Sequence, residues 1–156
     1  MAIMDIKKAG DSVLKNVSAP VGKIDKKIKQ LLDDMGKTMY EADGVGLAAP
    51  QVGISLRLIV IDVGEGILEL INPEILEYEG SNLGTEGCLS IPGMYGEVER
   101  YAKVTVEALD RSGKKVRISG DGLLARALQH EIDHLNGILF IERAKSVFKE
   151  KDKEQS

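Results

Sequence analysis

Apolar residues recur at helical spacing after Asp25. Ile28, Leu31, Leu32, Met35 and Met39 fall at that spacing, and Lys26, Lys27, Asp33, Asp34 and Lys37 lie between them, free to face water. This period predicts an amphipathic, core-packing helix, with Asp25 as its N-cap and its end before Asp43-Gly44. The preceding residues, 1–24, read as an irregular lead-in broken by Pro20 and Gly22. Residues 44–53, GVGLAAPQVG, are too glycine-rich for a long helix or strand. They predict a loop where backbone approaches something closely, although the spacing matches neither nucleotide-binding fingerprint.

The pattern then becomes strand-like. Strands are predicted over 56–63, over 67–71 up to the breaker Asn72-Pro73, and over 75–79. Val104, Val106 and Ala108 alternate with Thr105 and Glu107, and the turn 110–113 leads into 115–119, which predicts a hairpin. Asp121 is placed to cap a further helix that Asn136-Gly137 ends. A weaker helix is expected over 142–149, and the charged tail 149–156 is expected to fray. Strands come first and the main helix comes late. The expected fold is therefore α+β, with mainly antiparallel sheet around a central helix, an N-terminal helix and a short C-terminal helix, in one domain spanning 1–156.

The central helix carries the chemistry. His130 and His134, the two histidines of the chain, stand four apart and hence one turn above each other on one face. That spacing lets two imidazoles hold one metal ion, with Glu131 beside it. The helical wheel supports this reading. Leu124, Leu128 and Leu135 form an apolar stripe, widened by Leu123 and Ala127. Glu131 falls at its centre, with His130 and His134 along its edge, while Arg126, Gln129, Asp133 and Asn136 take the opposite face. A carboxylate in the middle of a buried stripe is costly unless it is paired or set beside a cation.

Composition narrows the class. The chain has 156 residues, 43% hydrophobic and 29% charged, which suits a soluble globular protein with a real core. A net charge of −4 gives no broad basic surface for nucleic acid. No apolar run reaches membrane-spanning length, and the N-terminus lacks the apolar segment of a signal peptide, so a cytoplasmic location is expected. The lone cysteine, Cys88, excludes a disulfide within the chain.

A catalytic metal site commonly has three protein ligands and one open position. Spacing leaves the third open between Cys88 upstream and Glu142 downstream. Gly87 and Pro92-Gly93 mark the cysteine segment as shaped backbone and favour Cys88. Thiolate plus two imidazoles suits Fe²⁺, Zn²⁺, Co²⁺ or Ni²⁺ about equally. With Glu142 the chain would instead be a zinc peptidase. A structural metal module would need a fourth ligand and would leave Glu131 without a task. Among the charged residues near these motifs, Arg100 is expected to pair with Glu86 or Asp133.

Three segments in order, GVGLAAPQ (44–51), EGCLS (86–90) and QHEIDH (129–134), resemble the motifs of bacterial-type peptide deformylases, and the likeness runs from the N-terminal helix through Phe140. The resemblance implies hydrolysis of the N-formyl group of formyl-methionyl nascent peptides, with release of formate. It implies Cys88, His130 and His134 as metal ligands, Fe²⁺ as the working ion and Glu131 as general acid/base. Gln51 through its side-chain amide and Leu89 through its backbone N–H would stabilise the oxyanion. Val45, Gly46 and Gly87 would hold the substrate backbone, and Leu123 and Ala127 would line the methionine pocket. Tyr95 departs from relatives that carry a substrate-contacting arginine there. A nascent-chain substrate also makes a transient ribosome contact plausible, though the mixed Lys/Glu tail signals it only weakly.

Overall fold

The computed structural model describes residues 3–149. In chain order the elements are α1 (Lys26–Glu41), β1 (Gly46–Ala48), β2 (Leu58–Ile61), β3 (Leu68–Glu79), β4 (Asn82–Cys88), β5 (Ile91–Arg100), β6 (Lys103–Leu109), β7 (Lys115–Asp121), α2 (Gly122–Leu135), α3 (Phe140–Arg143) and β8 (Ser146–Lys149). Five strands form one sheet in the order β1-β2-β3-β6-β7, and three form a second in the order β4-β5-β8. The strand pairs within both sheets are antiparallel.

Strand β2 shows how the layers assemble. Its run LIVI is buried at every position. Ile59 and Ile61 join Leu128, Ile132 and Leu135 of α2 in one apolar cluster. Leu58 and Val60 join Leu32, Met35 and Met39 of α1 in another. The alternation of a strand thus sends successive side chains to a helix on each face. Helix α1 starts where Asp25 accepts a hydrogen bond from Ile28 N–H at 3.1 Å. Helix α2 stops at Gly137, whose φ of 75° is left-handed and whose N–H reaches the His134 carbonyl at 3.1 Å. A side chain there would drive into the Lys15 carbonyl, so the stop is enforced by contact as well as by torsion. Asp121 occupies the N-cap of α2, but its side chain makes no capping bond.

Several elements differ from the pattern-based expectation. The strands predicted over 67–71 and 75–79 are one strand, β3, with a register shift between Ile71 and Glu74. Asn72 sits at this bulge with φ 54°. Its side-chain amide pairs with the backbone of Val21, accepting from its N–H at 2.8 Å and donating to its carbonyl at 3.0 Å. Pro73 brings no N–H and loses nothing by leaving the ladder. Part of the predicted loop 44–53 is strand β1, paired with β2 from Gly46 to Ala48. Strands β4 and β5 were not foreseen, because glycines at 84, 87, 93 and 96 dilute the strand signal. The helix expected over 142–149 is a single turn, α3, followed by β8, whose Val147 and Phe148 pair with Gly96 and Tyr95 at the edge of β5. Most of the predicted frayed tail lies outside the described residues. No helix among the described residues is long and apolar enough to cross a membrane.

Candidate active site

Helix α2 lies between the two sheets, with its apolar side on the five-stranded sheet and its polar side on β4 and β5. This brings Cys88, the last residue of β4, against the histidines. Cys88 Sγ lies 3.3 Å from His134 Nε2. One donor atom from each of Cys88, His130 and His134 falls within 4.8 Å of the others. His130 Nδ1 is held by Glu86 Oε1 at 2.9 Å, which fixes the ring and leaves Nε2 for the cluster. A sulfur and two imidazole nitrogens converging in this way fit a divalent transition metal.

Glu131 adds an independent sign. It is buried, and its Oε1 has no hydrogen-bond partner in the protein. Such an atom calls for a ligand, an ion or water. Burial pushes its carboxyl up to about 7, even though the charges of His130 and Arg100 oppose the shift. His130 moves the other way from a simple buried histidine. Burial disfavours its charged form, but hydrogen bonds to Cys88 and Glu86 and the charge of Glu131 outweigh burial and raise it to about 10. Surroundings that hold a proton there also favour a cation, which displaces the proton on binding. His134 is lowered well below its usual value, by burial first and then by the charges of His130 and Arg100.

Gly46 is required by this carboxylate. A Cβ at Gly46 would lie 2.6 Å from Glu131 Oε2 and 2.9 Å from its Cγ. Gly46→Ala is therefore expected to displace Glu131 and lower kcat by about tenfold or more, since a small misplacement of a reacting group is expensive. Formate-release kinetics on a folded, metal-replete variant check this.

The polar side of α2 is a charge network. Arg100 donates to both oxygens of Glu86 at 2.8 Å and to Asp133 Oδ2 at 2.6 Å. Arg126 reaches Glu86 Oε2 at 2.6 Å, and Arg143 reaches Asp133 at 2.6 and 3.1 Å. The expected pairing of Arg100 with Glu86 or Asp133 is thus realised with both. Hydrogen bonds from Arg100 and His130 overcome burial and hold the Glu86 carboxyl far below its ordinary range. Gln129, on the same face, pairs with the Tyr101 backbone through both ends of its amide, at 2.9 and 3.0 Å. Sequence reasoning placed Arg126 and Gln129 on the polar face without partners. Their partners lie on β4, β5 and the turn after it, and no local spacing points to them.

A cavity of about 420 Å³ opens over the cluster. Val45, Gly46, Gln51, Gly87, Cys88, Leu89, Leu123, Ala127, His130 and Glu131 all line it, and His134 lies beneath in the metal-ligand group. Tyr95 forms part of the wall, its ring against Gly87 and stacked on Phe148 with centroids 6.1 Å apart. Glu142 is elsewhere. It accepts from Leu139 N–H at 2.7 Å and from Lys15 at 2.6 Å, so the structure does not bring it to the histidines. Another concavity, of about 440 Å³, lies over β3, β6 and β7, lined by Glu77, Glu79, Lys103 and Asp121 among others and by no histidine or cysteine.

A thiol and two helical imidazoles, with a carboxyl raised by burial to about 7, equip an α+β protein as a metal-dependent hydrolase. The polypeptide deformylase family model matches residues 3–150, and the chain belongs to that family. It is 59% identical to a peptide deformylase of Thermoanaerobacter pseudethanolicus, over 99% of this chain and 98% of that protein. It is 64% identical to one of Alkaliphilus metalliredigens, over 92% of this chain and 97% of that protein. Among solved structures, the peptide deformylase of Thermotoga maritima superposes with a TM-score of 0.92 at 45% identity, covering 94% of this chain and all of the other. That of Synechococcus elongatus, solved in complex with actinonin, gives 0.89 at 49% identity, covering 92% of this chain and 79% of the other.

Proposed function

We propose a residue-level account of the deformylase reaction for this chain, acting as a single catalytic domain over 1–156. The protein is a hydrolase that removes the N-formyl group from the N-terminal formyl-methionine of new polypeptides and releases formate. The observation that carries the account is the placement of Glu131, with an unpartnered buried oxygen, beside the Cys88–His130–His134 group at one cavity.

Cys88, His130 and His134 hold the metal. A bound divalent cation supplies Lewis acidity and makes water an effective nucleophile near neutral pH. Fe²⁺ is the working ion, as the family likeness implies, with Zn²⁺, Ni²⁺ or Co²⁺ as substitutes that the same donors accept. Glu131 takes a proton from water and returns it to the departing amine, a role suited to a carboxyl near 7. The Gln51 side-chain amide and the Leu89 backbone N–H donate to the oxygen that gains charge. The backbones of Val45, Gly46 and Gly87 hold the peptide extended, and Leu123 and Ala127 line the methionine pocket. A tight site selects the formyl group by its size. Formyl carries only hydrogen on its carbonyl carbon, so larger acyl groups are excluded. The protein works in the cytoplasm and meets its substrate by transient contact with the ribosome.

The test is formate release from a formyl-Met peptide by anaerobically prepared, Fe²⁺- or Ni²⁺-loaded protein. Cys88→Ser is expected to lose bound metal and activity together, whereas Glu142→Ala keeps both. No formate from a folded, metal-replete parent would sink the reading. Metal loss in the Glu142 variant would transfer the third ligand there and revive a zinc peptidase.

A further inference from the structure

Ser90 is completely buried beside the site, and the reading above gives it no task. Its Oγ accepts a hydrogen bond from Gln51 Nε2 at 3.1 Å. At the other end of the same amide, Gln51 Oε1 accepts from Ala48 N–H at 3.0 Å. Ala48 N–H can only donate, so turning the amide over would set two donors against each other there, and the Ala48 bond fixes which end faces Ser90. Each Nε2 proton then has a defined direction. One is donated to Ser90, and the other to Cys88 Sγ, a long bond of 3.5 Å beside the cavity.

The backbones of both residues are tied to one strap. In the N-terminal segment, Lys7 N–H donates to the Gln51 carbonyl at 2.6 Å and Ala9 N–H to the Ser90 carbonyl at 2.8 Å. The strap therefore joins the turn that carries Gln51 to the turn that carries Cys88, Leu89 and Ser90. Further back, Met4 N–H bonds to Thr38 Oγ1 of α1 at 2.9 Å.

We infer that Ser90 is a positioning residue: with the strap behind it, its hydroxyl aims the second Gln51 N–H, the one on the Cys88 side, at the oxygen that becomes negative during deformylation. This rests on the oxyanion role proposed for Gln51. Without the Ser90 acceptor the amide keeps Ala48 and only the long contact to Cys88, and its second N–H loses its preset direction. Preorganised direction is what makes such a donor effective.

A double-mutant cycle tests this. Ser90→Ala is expected to lower kcat about tenfold, the size of one hydrogen bond's effect, with KM and metal content close to parent. In a Gln51→Ala background the same change is expected to cost less than about twofold, because residues acting as a unit are non-additive. An equal loss from Ser90→Ala in both backgrounds would overturn the inference. If Gln51→Ala leaves kcat unchanged, the oxyanion reading itself fails. A second readout needs no turnover. In the ¹⁵N-labelled, Zn²⁺-loaded parent, one Gln51 side-chain proton is expected to exchange with solvent at least about tenfold more slowly than a free glutamine amide, reflecting its buried bond. Exchange of both protons at the free rate in the parent would refute the Ser90 contact, whether or not the alanine variant folds.

Discussion

Glu131→Gln is expected to lower formate release by about a thousandfold, within the range seen when a general acid/base is lost, while making the metal-free protein more resistant to heat above neutral pH. The two effects share one cause. Burial holds the Glu131 carboxyl at about 7 in the folded chain, against an ordinary value of 4.5. A folded-state value raised in this way favours the fold at low pH. The advantage declines as pH rises from 4.5 and is gone above 7, where folding must bury a charge. Glutamine never ionises and escapes that cost. The gain should approach a few kcal/mol at pH 8, or several degrees in Tm, and shrink towards zero at pH 5. Thermal melts of the chelated parent and variant at the two pH values check this. A variant that loses activity but gains no stability at pH 8 would show that the carboxylate finds a partner when ionised. Retained activity would remove Glu131 from the chemistry.

Arg100→Leu is expected to destabilise the fold by about 3–5 kcal/mol, the usual cost of removing one partner from a buried ion pair. Arg100 binds Glu86 through two bonds and Asp133 through one, and all three side chains are largely shielded from water. Leucine fills part of the space but removes the cation that Glu86 and Asp133 share, leaving Glu86 to Arg126 and Asp133 to Arg143. The effect has a pH signature. The Glu86 carboxyl is held below its ordinary value of 4.5 in the folded parent. Its contribution to stability is therefore complete above that value and is lost as pH falls below it. Without Arg100 the depression weakens, so the variant's deficit should be large at pH 7 and narrow towards pH 3. Melting temperatures measured across that range decide the matter, and a deficit independent of pH would mean the leucine disturbs packing instead. Because Glu86 also orients His130, the variant should bind metal more weakly in proportion to the disorder of that ring.

The resemblance named three separated motifs, and the structure brings them to one cavity. What was legible from the residues alone was local. The helix from Asp25, the stop at Gly137 and the hairpin of β6 and β7 follow from capping and alternation within one segment. What was missed depends on distant partners. Residues 142–149 read as a weak helix because Lys and Glu alternate with apolar residues. They form β8 because the edge of β5 offers an unpaired strand. Asn72-Pro73 read as a terminator, yet the strand continues past a bulge because Asn72 serves the lead-in chain at Val21.

By itself the sequence determined the turn that carries His130, Glu131 and His134. A helix has 3.6 residues per turn wherever it stands, so His130, Glu131 and His134 share a face in any fold that keeps the helix. It also determined that Glu131 would be buried, because it sits within an apolar stripe. It did not choose between Cys88 and Glu142, which lie on opposite sides of the helix in the chain. Only the tertiary structure brings the Cys88 thiol to 3.3 Å from His134 at the end of β4 and leaves Glu142 to cap α3. It likewise set the partners of Ser90, Arg126 and Gln129. Their partners are set by strand register and by the burial of one element on another, and such contacts between remote segments leave no period in the chain to read.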